Sequence, residues 1–289
     1  MRTISTRRIT SFIILGLLLV GTWAITGCGQ PTSQTPAPAP NSGTPSLSGT
    51  LTVAGSTSVQ PFSEVLAEEF KAKNPGVQIN VQGGGSSVGI EAAVSGAAQI
   101  GASSRGLKAE EKAQGLVDTT IALDGIAIVV NPANSVPGLK TEQVMNIYLG
   151  NIKNWKEVGG PDAVITVVTR EEGSGTRDAF SDLVMAKKDI VKTAIVQNST
   201  GAVRTTVASD KNAIGYISLA SMNQEVKAVD IDGAAASEAN VKAGTYKIQR
   251  PFLYATKGNP DGLAKAFIDF VLSPEGQQLI VEEGAFSVK

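Results

Sequence analysis

From residue 51 onward the chain alternates short runs of β-branched and apolar residues with stretches in which apolar positions recur every three to four residues. Residues 51–54, 77–81, 99–102, 125–130, 164–169, 213–217 and 252–256 read as strands. Residues 61–73 read as a helix with Phe62, Val65, Leu66 and Phe70 on one face, and residues 176–185 as another with Ala179, Phe180, Leu183 and Val184. Strands interleaved with helices predict an α/β protein with largely parallel sheets. A length of 289 residues with 42% hydrophobic content is enough for two compact bodies.

The pattern before residue 51 is different. Arg2, Arg7 and Arg8 precede an apolar run over residues 9–20, which leads through Ile25, Thr26 and Gly27 to Cys28. That order predicts an export signal over residues 1–27, and its end resembles the lipobox of bacterial lipoproteins. The resemblance implies cleavage before Cys28, acylation of its thiol, and a lipid anchor at the outer face of the cytoplasmic membrane or in the periplasm. The alternative is an uncleaved anchor helix, because the apolar stretch approaches membrane-spanning length. The residues after the paired arginines match a twin-arginine signal poorly. Residues 29–48 hold 5 of the 13 prolines and no charge, so residues 28–48 read as a lipidated cysteine with a tether.

Charge and composition narrow the function. Lys and Arg total 25 against 26 Asp and Glu, so there is no broad basic field and no nucleic-acid partner is expected. Without residues 1–27 the balance becomes 22 basic against 26 acidic, so any anion must be held by local donors. The chain has no histidine, and Cys28 is its one cysteine, which removes Ser-His-Asp, Cys-His and His-ligated zinc chemistry. No metal cluster or cofactor motif is evident.

The candidate chemistry lies in three small-residue loops, each between a predicted strand and a predicted helix: Gly55-Ser56-Thr57-Ser58, Gly83-Gly84-Gly85-Ser86-Ser87 and Gly173-Ser174-Gly175-Thr176. A helix start offers unpaired N–H groups and the positive end of the helix dipole, glycine lets the main chain approach a ligand, and hydroxyls add donors. One such loop alone has a purely structural use as a cap. Three in one chain, with Ser103-Ser104-Arg105 after a fourth strand, point to an oxyanion socket. No lysine follows the glycines, so none is a Walker loop. Arg170 ends a predicted strand four residues before Ser174, and Arg105 follows the paired serines; a guanidinium grips a tetrahedral anion through two parallel hydrogen bonds. Arg177 either joins them or pairs with Glu171 or Glu172.

Six segments, LTVAGSTSVQPFSEVLAEEF, VQGGGSSVGIEAAVSGAAQIGASSRGLKAEE, TREEGSGTRDAF, NAIGYIS, RPFLYATKG and FIDFVLSPEGQQLI, resemble in content and order the phosphate-binding proteins of bacterial ABC transporters, the PstS family. The resemblance implies a two-lobed periplasmic-binding-protein fold of the second type. The ligand would lie in a cleft between lobes joined by two hinge crossings. Residues 49–129 plus 246–289 would form lobe 1 and residues 130–245 lobe 2. The chain would act as a monomer without cofactor, capturing inorganic phosphate and delivering it to the transporter's permease subunits. Carried over by motif, the anion contacts fall on Thr57, Ser58, Ser86, Arg170, Ser174, Gly175 and Thr176, with Ser56 as a neighbouring donor. Where some family members have an aspartate after Gly-Ala-Ser, this chain has Ser104, followed by Arg105. That removes an acceptor for the proton phosphate carries and sulfate lacks, and leaves Glu171 or Glu172 as substitutes.

Within the class the alternatives are carriers of sulfate, molybdate or tungstate. Outside it stands a hydrolase using Ser174 or Ser86, disfavoured because no histidine base and no Gly-x-Ser-x-Gly elbow are present. A surface sensor or adhesion protein on the same fold is a third. Trp155 is expected in the core of the middle segment and not against a sugar or base.

Overall fold

Val77, Ile79 and Val81 alternate with polar neighbours, and the computed structural model, which describes residues 47–289, builds a strand there whose alternate side chains enter a core. The first half of the chain gives β1 (Ser48–Gly55), α1 (Gln60–Lys73), β2 (Gly76–Gly83), α2 (Ser86–Ser95), β3 (Ile100–Ser103), α3 (Ala109–Ala113), β4 (Leu116–Val130) and α4 (Thr141–Tyr148). Then follow β5 (Thr166–Arg170), α5 (Gly175–Leu183), β6 (Ile195–Gln197), α6 (Thr200–Ser209), β7 (Ala213–Ser218), β8 (Lys227–Ala228), α7 (Glu238–Lys242), β9 (Gln249–Lys257), α8 (Gly262–Val271) and α9 (Pro274–Glu282). The signal, Cys28 and nearly all of the expected tether lie outside the described residues. Ser48, assigned to the tether, instead opens β1 opposite Gly76.

The strands run in the order β2-β1-β3-β9-β4-β7-β5-β6, with β8 added beside β4. The expectation of largely parallel sheets fails at the middle of this order. β1 pairs in parallel with β2 and β3, and β5 with β6 and β7, but β9 and β4 are antiparallel to every partner they have among the described residues. The reason is topological: β4 leads the chain out of one half and β9 brings it back. β4 is 15 residues long; Leu116–Gly125 pair with β9, and from Ile126 to Val130 the partner becomes β7. A bulge interrupts the β4–β9 register between Thr120 and Ala122.

Each half has its own core. Leu51, Val53, Phe62, Leu66, Phe70, Ile100, Phe252, Tyr254 and Phe267 belong to one. In the other half the sheet is covered on both faces: Ile126, Ile128 and Val130 pack with Trp155, Phe180 and Tyr216, while Ala127 and Val129 pack with Val168, Val203 and Val207. Two-sided burial explains why this stretch reads as a continuous apolar run and not as an alternation. Trp155 is fully buried, and its indole N–H donates to the Asn212 carbonyl at 2.9 Å.

Candidate functional site

The three small-residue loops and the segment after β3 converge. At Gly55, φ is +141°, and an added Cβ would fall 2.2 Å from the Ala102 carbonyl oxygen, so glycine alone lets the first loop lie on β3. Ser56 Oγ then donates to Ser104 Oγ at 2.9 Å, and the Ser104 amide donates to Ser86 Oγ at 3.1 Å. The third loop arrives from the other half. The Ser87 amide donates to the Gly173 carbonyl at 3.0 Å, and the Cα of Gly175 comes so close that a Cβ would sit 2.2 Å from Ser86 Oγ.

Ser174 Oγ caps α5 by accepting from the Arg177 amide at 3.3 Å. Among the described residues, the backbone amides of Thr57, Gly175 and Thr176 donate to no protein acceptor, so they are available to an anion at a helix start. Ser56, Ser58, Ser86, Ser104, Arg170, Ser174 and Thr176 are all buried. A polar cluster this dry needs every group paired or aimed at a ligand.

The hydroxyls form a chain across the two halves. Thr176 Oγ1 and Ser58 Oγ are 3.0 Å apart, and Ser58 Oγ and Thr200 Oγ1 are 2.8 Å apart. Arg170 Nη1 donates to Thr200 Oγ1 at 3.3 Å, while its Nε and Nη2 donate to the two carboxylate oxygens of Glu171, each at 2.8 Å. Thr57 Oγ1 accepts from the Thr200 amide at 3.2 Å, which holds the first loop to the start of α6.

Arg105, expected at the anion, is committed elsewhere. Its Nη1 and Nη2 donate to both oxygens of Glu111 at 2.9 and 2.7 Å, and its Nε lies 2.8 Å from Asp178 Oδ2 on α5. Burial pushes the Glu111 carboxyl upward, but the Arg105 guanidinium and the Lys108 amide outweigh it and hold it below the ordinary glutamate range. Glu172 is out in solvent beside Arg177 at 2.6 Å, and both oxygens of Glu171 accept from Arg170.

Sequence reasoning missed three members, Thr200, Asp124 and Arg250. Thr200 follows Ser199 at the start of α6, a helix opening of the same small-residue type as the three loops, and could have been read as a further socket. Asp124 is an isolated acid in the apolar stretch 121–130, and Arg250 stands immediately before the apolar part of β9; an isolated charge in such a run signals a partner. Arg250 Nη2 and Nε donate to Asp124 Oδ2 at 3.0 and 3.1 Å, and Ser218 Oγ donates to Asp124 Oδ1 at 2.8 Å. Burial raises the Asp124 carboxyl above the usual aspartate range, against the pull of Arg250 and Ser218.

The described residues contain no group of three or more His, Cys, Asp or Glu able to hold a metal, and no helix long and apolar enough to cross a membrane.

Comparison with known proteins agrees with this architecture. The model of the PBP superfamily domain matches residues 36–275. The phosphate-binding protein PstS of Bacillus subtilis (strain 168) is 38% identical over 244 residues, 83% of this chain and 80% of its own. A solved structure with bound phosphate from Clostridium perfringens, of the phosphate ABC transporter substrate-binding class, superposes with a TM-score of 0.81 at 44% identity, covering 83% of this chain and all of that one. An ABC-type phosphate transport receptor from Vibrio cholerae superposes with a TM-score of 0.71 at 41% identity, again over 83% of this chain. The fold is the two-lobed one of periplasmic binding proteins, and the chain belongs to the PBP superfamily and, within it, to the family of the PstS phosphate-binding proteins.

Proposed function

We propose that this protein captures inorganic phosphate between its two lobes and delivers it to the permease subunits of an ABC transporter. One observation carries the reading: a buried chain of three hydroxyls, contributed by both halves, has a guanidinium at each end. Such a set donates to a small oxyanion from every side, and with no large apolar surface in the loops it has little to offer a bulky ligand. Micromolar affinity requires about −8 kcal/mol, and charge-assisted hydrogen bonds contribute about 1.5 to 3 kcal/mol each. Six or more of them leave a margin to offset desolvation of the anion and closure of the lobes.

In this reading Thr57, Ser58, Arg170, Gly175 and Thr176 are the direct contacts, joined by Thr200. Ser56, Ser86, Ser104 and Ser174 hold the loops in place, and Arg105 fastens the cleft instead of binding the anion. Residues 48–125 with 249–289 form one lobe and residues 126–248 the other, a few residues from the boundaries expected at 129 and 246, because Ile126, Ile128, Tyr246 and Ile248 pack in the core of the second half. The protein acts as an exported monomer tethered through an acylated Cys28, with no catalytic role.

The deciding experiment is calorimetric titration of the purified protein, unfolded and refolded to strip ligand, with phosphate and then sulfate at equal ionic strength. Saturable one-to-one binding of phosphate with little response to sulfate is the expected result. Preference for sulfate would move the protein to another oxyanion system, the second reading favoured by Ser104 where a carboxylate acceptor would discriminate. Sustained turnover of a chromogenic phosphate ester would overturn the carrier reading.

A further inference from the structure

Arg250 links three of the segments that build the site. Its Nη1 donates to the Ser104 carbonyl at 3.1 Å and to Thr176 Oγ1 at 2.7 Å, and its Nη2 donates to Ser58 Oγ at 3.4 Å. One guanidinium thus reaches the first loop, the segment after β3 and the third loop, the last of these from the opposite half. It is 3% exposed and is borne on β9, directly opposite Asp124 of β4, whose carboxylate takes its remaining N–H groups.

Proton counting shows what this does. The chain Thr176–Ser58–Thr200 has three hydroxyl protons, and its two internal bonds consume two. Arginine is a donor only, so Arg250 occupies lone pairs of Thr176 and Ser58, as Arg170 does at Thr200. The third proton therefore points out of these three groups, toward a ligand or the Thr57 hydroxyl 3.5 Å from Thr200, and five of the six lone pairs are already taken, which leaves the chain with little capacity to accept from a ligand.

We infer that Arg250 is the positioning residue of the anion site: its fork, oriented by Asp124, gathers the first loop, the third loop and the segment after β3, and biases the Ser58 and Thr176 hydroxyls toward donating to an oxyanion. This rests on reading the site as one for an oxyanion. It assigns to the fork geometry, and not to the positive charge alone, the effect on binding.

The test compares phosphate titrations of the parent, Arg250→Lys, and the double variant Asp124→Asn with Arg250→Gln. Lysine keeps the charge but cannot span three acceptors, so Arg250→Lys is expected to bind phosphate roughly 10- to 100-fold more weakly. The double variant removes both buried charges together, which leaves folding near that of the parent, and is expected to lose about 100-fold. In a Thr176→Val background the Arg250→Lys change should cost several-fold less than in the parent, because part of its effect passes through that hydroxyl. Binding by Arg250→Lys within threefold of the parent, or by a well-folded double variant within threefold, would overturn the assignment while leaving the phosphate reading intact. A parent that binds no oxyanion would overturn both.

Discussion

Arg105 Nε lies 2.8 Å from Asp178 Oδ2, an ion pair that joins the segment after β3 to helix α5 across the cleft. Lys108 Nζ stands 3.6 Å from the same oxygen, so one carboxylate of the second half answers two cations of the first. Arg105 Nε and Asp178 Oδ2 are buried but not aligned for a hydrogen bond, and taking both charges out of water offsets much of their attraction, which leaves the pair worth about 1 kcal/mol.

Asp178→Asn should therefore weaken phosphate binding modestly, by roughly 5-fold. The loss should change little as salt is raised, because the paired Arg105 Nε and Asp178 Oδ2 are themselves buried. Titrations at low and high salt check both. An affinity loss above 100-fold would mean that Asp178 belongs to the site itself.

Glu111 gives a prediction for acid stability. Its folded value lies below the unfolded one, so the stability it contributes is present above pH of about 4.5 and is lost as the pH falls through the lowered value. Glu111→Gln should be less stable than the parent at pH 7 and show a shallower decline below pH of about 4.5. Thermal melts across pH 3 to 7, values chosen to bracket that range, would contradict this if the two curves ran parallel.

Gly175→Ala tests how closely the halves must meet. The added methyl would lie 2.2 Å from Ser86 Oγ and 2.8 Å from Ser104 Oγ, both across the cleft, while the α5 backbone itself tolerates alanine. The variant should fold normally yet bind phosphate at least 10-fold more weakly, a rough figure set by partial relief of the clash. Small-angle scattering with saturating phosphate should show a more expanded particle than the parent.

The hydroxyl chain predicts a graded series. Thr200→Val removes one link and leaves the Arg170 Nη1 donor unpaired, so phosphate affinity should drop by about 10-fold. Arg170→Ala should cost 100-fold or more, an estimate from the loss of a guanidinium's charge-assisted bonds. Equal losses in the two variants would show that Arg170 acts only through Thr200.

Asp124→Asn alone should be the most destabilising single change, because it strands the Arg250 guanidinium in a buried position. The cost expected is about 3 to 5 kcal/mol, read as a drop in the urea midpoint. Restoration of stability when Arg250→Gln is added would confirm that the charge, and not the shape, is responsible.

What the chain disclosed in advance was local. The three loops were visible because glycine, serine and threonine sit together where an apolar strand period gives way to a helical one, and Arg170 because it ends such a strand. The Asp124–Arg250 pair was not, since it depends on an antiparallel register between β4 and β9, 126 positions apart, that no local period encodes. Arg105 looked like Arg170 in sequence, a guanidinium beside small polar residues. Its different partner follows from Glu111 folding back at the start of α3 and Asp178 arriving from the far half. The same non-local pairing made the central strands antiparallel where a parallel sheet was expected.

Trp155 is the one tryptophan among the described residues, sealed in the core of the half that carries α4 and α5. In a chain without residues 1–27 its emission would report the unfolding of that half alone, while far-ultraviolet dichroism would report both. Superimposable transitions from the two signals would show that the halves melt as one cooperative unit; a separation between them would measure how much stability each half holds by itself.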